Sequence, residues 1–207
     1  MDDLYCEINK HLLEDEKPSI YMEKILSKGL LKSYPFSMIG DLTSVPQNLK
    51  HHPEGSVWNH LMMVIDEGAK YRKHSKDKKA FMWSLLLHDI GKTPTTKLRK
   101  GRWTSYDHEK VGSEMAEKFL NFLGQEENFI NTVKNQVRYH MECIFVVNNL
   151  PFGDMEAMVA NTSLDEMILI SICDRLGRGN MDKEKVKETL ESVERFASVV
   201  KSNCNFH

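Results

Sequence analysis

Apolar residues recur with helical spacing along nearly the whole chain, and no stretch alternates convincingly with a period of two residues. The pattern predicts an all-α protein. Residues 32–55, which hold three prolines and two glycines, are predicted to be an irregular connection, and 93–107 form a second polar stretch. The predicted helices cover residues 4–13, 19–31, 56–74, 78–89, 107–123, 126–147, 163–174 and 182–201.

Two of these helices begin with a capping signal. Asp107 is in position to cap the helix that ends before Gly124. The segment SLDE at 163–166 has the form of a capping box, in which a Ser and a Glu side chain bind free N–H groups in the first turn. Both signals favour helices that start at these residues.

Composition and charge narrow the class of protein. With 207 residues, 41% of them hydrophobic, and a net charge of −2, the chain suits a soluble globular protein rather than a nucleic-acid coat or a membrane-surface protein. No apolar run approaches the roughly 20 residues that span a bilayer, and the N-terminus lacks the apolar region of a signal peptide. The four cysteines form no C-x-x-C pair. We expect a cytoplasmic protein with reduced thiols and no membrane partner.

Several ionisable residues fall on the apolar faces of the predicted helices. His60 lies three residues after Val57 and four before Val64, so its imidazole faces inward, and His140 follows Val137 by three. A buried charge without a partner costs several kcal/mol. These positions therefore require partners inside the core.

Four more ionisable residues are predicted to face the core and therefore also require partners there. His88 and Asp89 end the helix that contains SLLL, residues 84–87. Asp174 comes four residues after Ile170, and His108 opens an apolar helix face. Each alone is more often a core histidine bonded to a carbonyl, or an aspartate in a cap or ion pair. Six of them, on five helices of one core, favour a shared cation.

Imidazole and carboxylate groups are ligands for divalent ions, and such an ion supplies the missing counter-charge. The set without thiolate suits manganese, iron, nickel, cobalt or magnesium, as one or two ions, and its histidine content argues against magnesium alone. If two ions bind, Asp89 is the best candidate to bridge them, with His108 and His140 on the second. The predicted ligands are His60, His88, Asp89, His108, His140 and Asp174.

Cations follow two of the predicted ligands. Lys92 comes after Asp89 across Gly91, which lets the backbone turn close to the site, and its charge suits a phosphate oxygen. Arg175 and Arg178 follow Asp174 and suit a bidentate phosphate contact. A solvated lysine and salt bridges to some of the 30 acids are the structural alternatives.

The remaining polar and aromatic positions are less decisive. Trp103, in the polar stretch, fits a lid over a pocket, a stacking partner for a base, or simple packing, which is the commonest role. We interpret Trp58 and Trp83 as core residues, and His51 and His52 as surface or packing residues.

The order His60, His88-Asp89, Asp174 in an all-helical chain resembles the HD superfamily of metal-dependent phosphohydrolases, whose central motif commonly reads HDIGK. HHPEGSVWNHLMMVIDEGA, YDHEKVGSEMAEKF, QVRYHM and CDRLGRG are similar, in the same order, to the HD region of bacterial tRNA nucleotidyltransferases. The resemblance covers most of residues 20–180. It implies an HD-domain helical bundle over 51–207 with a metal site in its core, and an N-terminal helical extension packed on it over 1–50.

The resemblance also implies residue roles. Asp89 and Lys92 would be catalytic. His60, His88, Asp89 and Asp174 would be core metal ligands. His108 and His140 match the histidines that bind a second metal or contact phosphate. No counterpart of the polymerase domain is found, so we expect a free-standing hydrolase module without CCA addition.

The implied activity is a phosphodiesterase or phosphatase. Its expected partner is a small-molecule phosphoester or nucleotide, or an RNA 3′ end, such as a 2′,3′-cyclic phosphate or a nucleoside monophosphate. The alternatives are a nucleotide-sensing regulatory module without turnover, a di-iron oxygenase, and a structural bundle with a zinc ion. The oligomeric state stays open, with a homodimer as one candidate.

Overall fold

The computed structural model describes residues 2–48 and 52–204, so His51 lies outside the described residues. A single two-stranded hairpin, β1 (Lys97–Arg99) and β2 (Arg102–Thr104), interrupts the helices of this part of the chain. The all-α prediction is confirmed. The helices are α1 (Asp2–Glu14), α2 (Pro18–Ser27), α3 (Ser37–Gly40), α4 (Val57–Tyr71), α5 (Lys78–Leu87), α6 (Lys92–Thr95), α7 (His108–Phe122), α8 (Glu127–Tyr139), α9 (Glu142–Val147), α10 (Met155–Asn161), α11 (Leu164–Leu176) and α12 (Lys183–Asn203).

Helix α5 is the centre of the bundle. Every residue from Ala80 to Leu87 is buried, which matches a helix that is apolar on all sides. Helices α1, α4, α8 and α11 pack around it, and α7 packs on α8. The C-terminal end of α5, where His88 and Asp89 lie, is therefore enclosed by the surrounding helices.

The first two helices pack on the central ones. The Tyr5 ring stacks on Trp83 with 4.8 Å between centroids, and the Trp58 Nε1–H donates to Glu23 Oε1 at 2.6 Å. Both tryptophans are buried, which confirms their core assignment. The division at residue 50 stays a prediction. Within the described residues, no helix is long and apolar enough to span a membrane.

Several boundaries differ from the sequence-based expectation. The predicted helix over 126–147 is two helices, α8 and α9, separated at His140 and Met141, and the short α10 was not predicted. The prediction of a capping box at 163–166 is wrong. Ser163 makes no side-chain cap, and Glu166 instead accepts hydrogen bonds from Ser75 Oγ and Lys76 N, both at 2.8 Å. Glu166 therefore makes a tertiary contact with the residues just before α5 instead of the predicted cap within its own helix.

The hairpin was also not predicted, because each strand has only three residues. Its turn residues Lys100 and Gly101 have φ values of 49° and 74°, as two-residue hairpin turns require. At the end of this stretch, Asp107 precedes α7 as predicted, but its side chain contacts Lys110 Nζ at 2.7 Å and does not cap the helix.

Candidate metal centre

Six polar side chains from five parts of the bundle converge in its interior. They come from α4, from the turn after α5, from the first residue of α7, from the residue after α8, and from α11. The structure thus brings together every residue that the sequence predicts as a ligand, and buries each one. They are His60, His88, Asp89, His108, His140 and Asp174, with exposed fractions of 0%, 1%, 1%, 7%, 2% and 5%.

Backbone carbonyl groups fix the orientation of all four imidazoles. His88 and His140 each end a helix, where the carbonyls of the last turn lack helical partners. The Nδ1 atoms contact carbonyl oxygens as follows: His60 with Gly177 at 3.0 Å, His88 with Leu85 at 2.7 Å, His108 with Ser105 at 2.8 Å and His140 with Val137 at 2.7 Å.

These contacts also define the tautomers. Because a carbonyl oxygen can only accept, each Nδ1 carries the proton and each Nε2 presents a lone pair. A backbone partner on one ring nitrogen and a free lone pair on the other is the usual arrangement of a metal-binding histidine. The alternative for each histidine was a structural role in the core with a hydrogen bond to a carbonyl. That role explains the partner of Nδ1 but leaves the buried Nε2 unexplained.

The free lone pairs point at other acceptors. His60 Nε2 lies 3.1 Å from Asp174 Oδ1, and the Nε2 atoms of His108 and His140 face each other at 3.3 Å. His88 Nε2 is buried without a hydrogen-bond partner among the described residues. With Nδ1 protonated, no proton stands between these acceptors, and they repel one another. A cation removes the repulsion, and neighbouring ligands about 3 Å apart are expected around an ion with bonds of about 2.1 Å.

Asp89 lies between two groups of ligands. Its Oδ2 faces His88 Nε2 at 3.3 Å and His60 Nε2 at 3.9 Å, whereas its Oδ1 faces His108 Nε2 at 3.4 Å and His140 Nε2 at 3.9 Å. The ligand atoms of His60, His88 and Asp174 lie within 4.8 Å of one another, and so do those of Asp89, His108 and His140. The donor set is compatible with one ion or with two that share Asp89.

The electrostatic environment keeps the carboxylates ionised. Burial alone would raise the pKa of Asp89, but the ammonium of Lys92 holds that pKa well below its usual range. Arg178 does the same for the pKa of Asp174. Burial and the neighbouring His108 lower the pKa of His140 to about 3, so its imidazole is neutral at neutral pH. The two carboxylates and His140 are therefore in the state that binds a metal. Burial opposes protonation of His60, but Asp174 and Glu54 raise the pKa of its imidazole, so a metal ion there takes the place of a proton.

A close backbone contact holds two of the ligands together. Gly91 has an ordinary helical φ of −65°, so it is not needed for the turn that the sequence suggested. Instead, a Cβ at this position would clash with the His108 carbonyl oxygen and would lie 2.5 Å from Gly112 N. The absence of a side chain lets α7 approach the turn that carries Asp89.

Comparison with known proteins agrees with this geometry. The HD domain family model matches residues 57–179, more than half of the chain. The chain belongs to the HD domain family. Membership indicates a metal-dependent hydrolase, and the matched range includes all six clustered residues.

Curated relatives of this HD domain carry the name "Multifunctional CCA protein". The protein from Actinobacillus pleuropneumoniae serotype 5b is 30% identical over 140 residues, which are 68% of this chain and 33% of that protein. The one from Mannheimia succiniciproducens is 24% identical over 178 residues, 83% of this chain and 42% of that protein. The predicted resemblance is confirmed, and the chain spans less than half the length of these relatives.

Lys92 lies between the metal centre, formed by the six clustered residues, and a cavity of about 850 Å³. Its Nζ is 2.7 Å from Asp89 Oδ2 and donates to Gln47 Oε1 at 2.8 Å. The main chain helps to place it, because Lys92 N donates to the Asp89 carbonyl oxygen and closes a turn between them. The cavity is also bordered by His52 and His108. The lysine is thus positioned between the carboxylate and any ligand that enters.

The two arginines have different surroundings. Arg178 Nη2 lies 3.6 Å from Asp174 Oδ1, at the edge of the metal centre. Arg175 donates to Ser192 Oγ at 2.8 Å and contacts Cys143 Sγ at 3.7 Å. Arg175 therefore contacts α12, whereas Arg178 balances the negative charge of Asp174. Their contact with substrate phosphate stays a prediction.

Three polar residues near the centre were not predicted to have a role: Gln47, His52 and Glu54. Glu54 Oε1 lies 3.2 Å from His60 Nδ1 and 2.9 Å from His52 Nδ1, and its other oxygen accepts from Gly179 N at 3.1 Å. Glu54 thus supports the orientation of His60. All three belong to the irregular connection, where no periodicity indicates which side chains face inward.

Proposed function

We propose that this protein is a metal-dependent phosphohydrolase that acts on a nucleotide or RNA-end phosphoester, such as a 2′,3′-cyclic phosphate or a nucleoside monophosphate. One observation carries the proposal: four Nε2 lone pairs and two ionised carboxylates converge beside the buried ammonium of Lys92. The ligands attract a divalent cation, and the lysine at the cavity attracts the anionic group on which such an ion acts.

We propose His60, His88, Asp89, His108, His140 and Asp174 as the metal ligands. The position of Asp89 between the two groups favours two ions that share its carboxylate. Manganese, iron, nickel and cobalt suit nitrogen and oxygen ligands without thiolate, whereas four imidazoles argue against magnesium alone. When bound, such an ion lowers the pKa of a coordinated water and polarises a phosphoryl oxygen.

The residues of the chain then bind, orient and balance charge. Lys92 would neutralise a non-bridging phosphate oxygen while its ion pair with Asp89 keeps it in place. Arg178 would balance the negative charge of Asp174. If only one ion binds, His108 or His140 would contact phosphate, and His108 would be the candidate to donate a proton to the leaving oxygen, because the lowered pKa of His140 keeps that imidazole neutral.

The first test measures metal and turnover on one sample. Protein purified without chelator is assayed by plasma mass spectrometry for bound metal, and by hydrolysis of bis-p-nitrophenyl phosphate and 2′,3′-cyclic AMP. We expect one or two transition-metal ions per chain, and activity that a chelator removes and added metal restores. Absence of metal under any loading would contradict the proposal. Nucleotide binding without turnover would favour the sensing alternative, and oxygen uptake by an iron form would favour the oxygenase.

The second test uses variants of one carboxylate. Asp89→Ala and the isosteric Asp89→Asn should both lose bound metal and hydrolysis, because Asp89 faces both groups of ligands. Asp165→Asn is the matched control, since Asp165 is exposed on the surface and pairs only with Lys76 among the described residues. Full activity in Asp89→Ala would overturn the site assignment. Homodimer formation and a cytoplasmic location stay predictions; light scattering would measure the first.

A further inference from the structure

The cavity beside Lys92 is larger than a phosphate group requires. Its volume of about 850 Å³ lies near the upper end of the range for small-molecule sites. Lys92 and His108 border it on the side of the metal centre, and the β1–β2 hairpin and the residues after it border the other side. A substrate whose phosphate reaches the centre would therefore place its remaining groups against the hairpin.

The hairpin side of the cavity is strongly basic. Residues 93–106 contain four lysines and arginines and no acid, in a chain whose net charge is −2. Lys100 and Arg102 border the cavity, are exposed, and make no ion pair within the described part of the chain. Because no acid pairs with these two cations, their charges are available to an anion that enters the cavity.

Aromatic rings accompany these cations. Trp103 and Tyr106 border the cavity with exposed fractions of 39% and 63%. The guanidinium of Arg99 lies 4.9 Å from the centroid of the Tyr106 ring. Exposed rings interleaved with free cations are the arrangement with which proteins hold single-stranded nucleic acids, since the rings stack on bases and the cations follow the phosphates.

The hairpin is also structurally defined. Leu98 pairs with Trp103 across the strands, and Arg99 Nη1 donates to the Thr104 carbonyl oxygen at 3.2 Å. The positive-φ turn at Lys100 and Gly101 matches the twist of the strands. A platform ordered in this way loses little entropy when a ligand binds.

We propose that the cavity side of this hairpin, formed by Arg99, Lys100, Arg102, Trp103 and Tyr106 and here called the hairpin subsite, binds the nucleotides that precede the terminal phosphate of a single-stranded RNA. The preferred substrate is then an RNA 3′ end rather than a free nucleotide. This inference rests on the proposed function for its position next to the reacting phosphate, and its chemistry is that of base stacking and backbone neutralisation.

The first experiment compares kcat/KM for 2′,3′-cyclic AMP and for a tetra-adenylate ending in a 2′,3′-cyclic phosphate. The wild-type protein should favour the tetranucleotide at least about tenfold, as expected from one stacked base. Trp103→Ala should bring this ratio close to one. Phe122→Ala is the matched control, because it removes an exposed ring that does not border the cavity, and it should keep the wild-type ratio.

Charge is tested with a second pair of variants. Arg102→Gln should weaken binding of the tetranucleotide and reduce its salt dependence, because one phosphate contact is lost. Lys97→Gln removes a cation from the same hairpin at a position that does not border the cavity, and should change neither quantity. A wild-type ratio of one, or a Trp103→Ala variant that lowers kcat/KM equally for both substrates, would overturn the inference.

Binding separates this inference from the proposed function. Fluorescence anisotropy of a labelled tetraribonucleotide 3′-phosphate is measured on the metal-loaded protein at two salt concentrations. Binding that Trp103→Ala abolishes, without hydrolysis of any phosphoester, would support the hairpin subsite and overturn the hydrolase. Hydrolysis of 2′,3′-cyclic AMP without tetranucleotide binding would do the opposite. Equal affinity for the matching DNA tetramer would overturn the assignment to RNA.

Discussion

The metal centre and the hairpin lie on opposite sides of one cavity, and they are built in opposite ways. In the metal centre, polar groups are buried, and each imidazole is fixed by a backbone carbonyl. In the hairpin, cations and rings are exposed, and a short pair of strands holds them. One region depends on the packing of the whole bundle, and the other on a few local contacts.

This difference determines how each region responds to change. A group in the metal centre cannot move without disturbing the helices around it, because interiors are close-packed. We expect the hairpin to open while the bundle stays folded, because little apolar surface is buried there and most of its side chains contact water. Substitutions in the centre should therefore reduce stability and metal binding together, whereas those in the hairpin should alter ligand preference alone.

Gly91→Ala should have the largest effect. The new methyl group would meet the backbone of His108 and Gly112, and backbone atoms cannot move aside as a flexible side chain can. We expect a loss of about 3 kcal/mol in the free energy of unfolding, together with reduced metal content, because His108 would move away from Asp89. Urea denaturation and metal analysis measure the two effects.

The matched control for this prediction is Gly124→Ala. Gly124 has a φ of 63° and nothing within 4 Å of an added Cβ, so only the left-handed backbone opposes the change. A loss of about 1 kcal/mol with full metal content is expected. If Gly91→Ala were as mild as Gly124→Ala, the close contact between α7 and the turn at Asp89 would not be what holds the centre together.

Glu54→Gln should have an intermediate effect. Glu54 accepts from the Nδ1 atoms of His52 and His60, and these bonds hold the pKa of its carboxyl well below the usual range despite burial. The amide keeps the shape and removes the charge that makes His60 a stronger ligand. Metal affinity should fall about 10- to 100-fold, measured by competition with a chromophoric chelator.

Exposed Glu191, which pairs with Lys187, provides the control variant Glu191→Gln. It should leave the affinity for metal unchanged. Wild-type affinity in Glu54→Gln would mean that the carbonyl of Gly177 alone is sufficient to orient His60, whose Nδ1 it contacts at 3.0 Å.

The contrast between a buried metal centre and an exposed hairpin also explains which features the sequence could predict. Burying charge is costly, so the inward positions of His60, His140 and Asp174 already indicated a shared cation. The break between α8 and α9 was not predicted, because residues 126–147 remain apolar at helical spacing across it. Glu166 satisfied a local rule and is used in a tertiary contact instead. Neither departure has a signature in local periodicity.

The hairpin was not predicted for a different reason. Exposed lysine, arginine and tryptophan residues cost little in the unbound protein, so no missing partner marks them in the sequence. The available signal was the turn pair Lys100-Gly101 between two basic residues, Arg99 and Arg102, and three-residue strands are too short to reveal alternation. Buried chemistry is easier to infer from a sequence than exposed chemistry of the same importance.

Gly101→Ala should have the smallest effect on stability, and it tests the comparison most directly. Gly101 has a φ of 74° with open space around it, so alanine costs about 1 kcal/mol of local backbone strain. If the hairpin opens without the bundle, we expect unchanged metal content, a nearly unchanged free energy of global unfolding, and faster hydrogen exchange at the amides of Arg99 and Arg102, which form the hydrogen-bonded pair beside the turn. The preference for a tetranucleotide over 2′,3′-cyclic AMP should fall.

Gly124→Ala introduces the same type of strain outside the hairpin, at the end of α7, and should leave the nucleotide preference and the hairpin exchange rates unchanged. If Gly101→Ala lost metal as well, the hairpin and the metal centre would be one cooperative unit, and the contrast between a packed region and a local one would not hold. If exchange increased but the preference stayed at its wild-type value, an ordered hairpin would not be needed for binding. The contribution of Trp103 and Arg102 would then depend on their chemistry alone, because pre-organisation by the turn would contribute nothing to affinity.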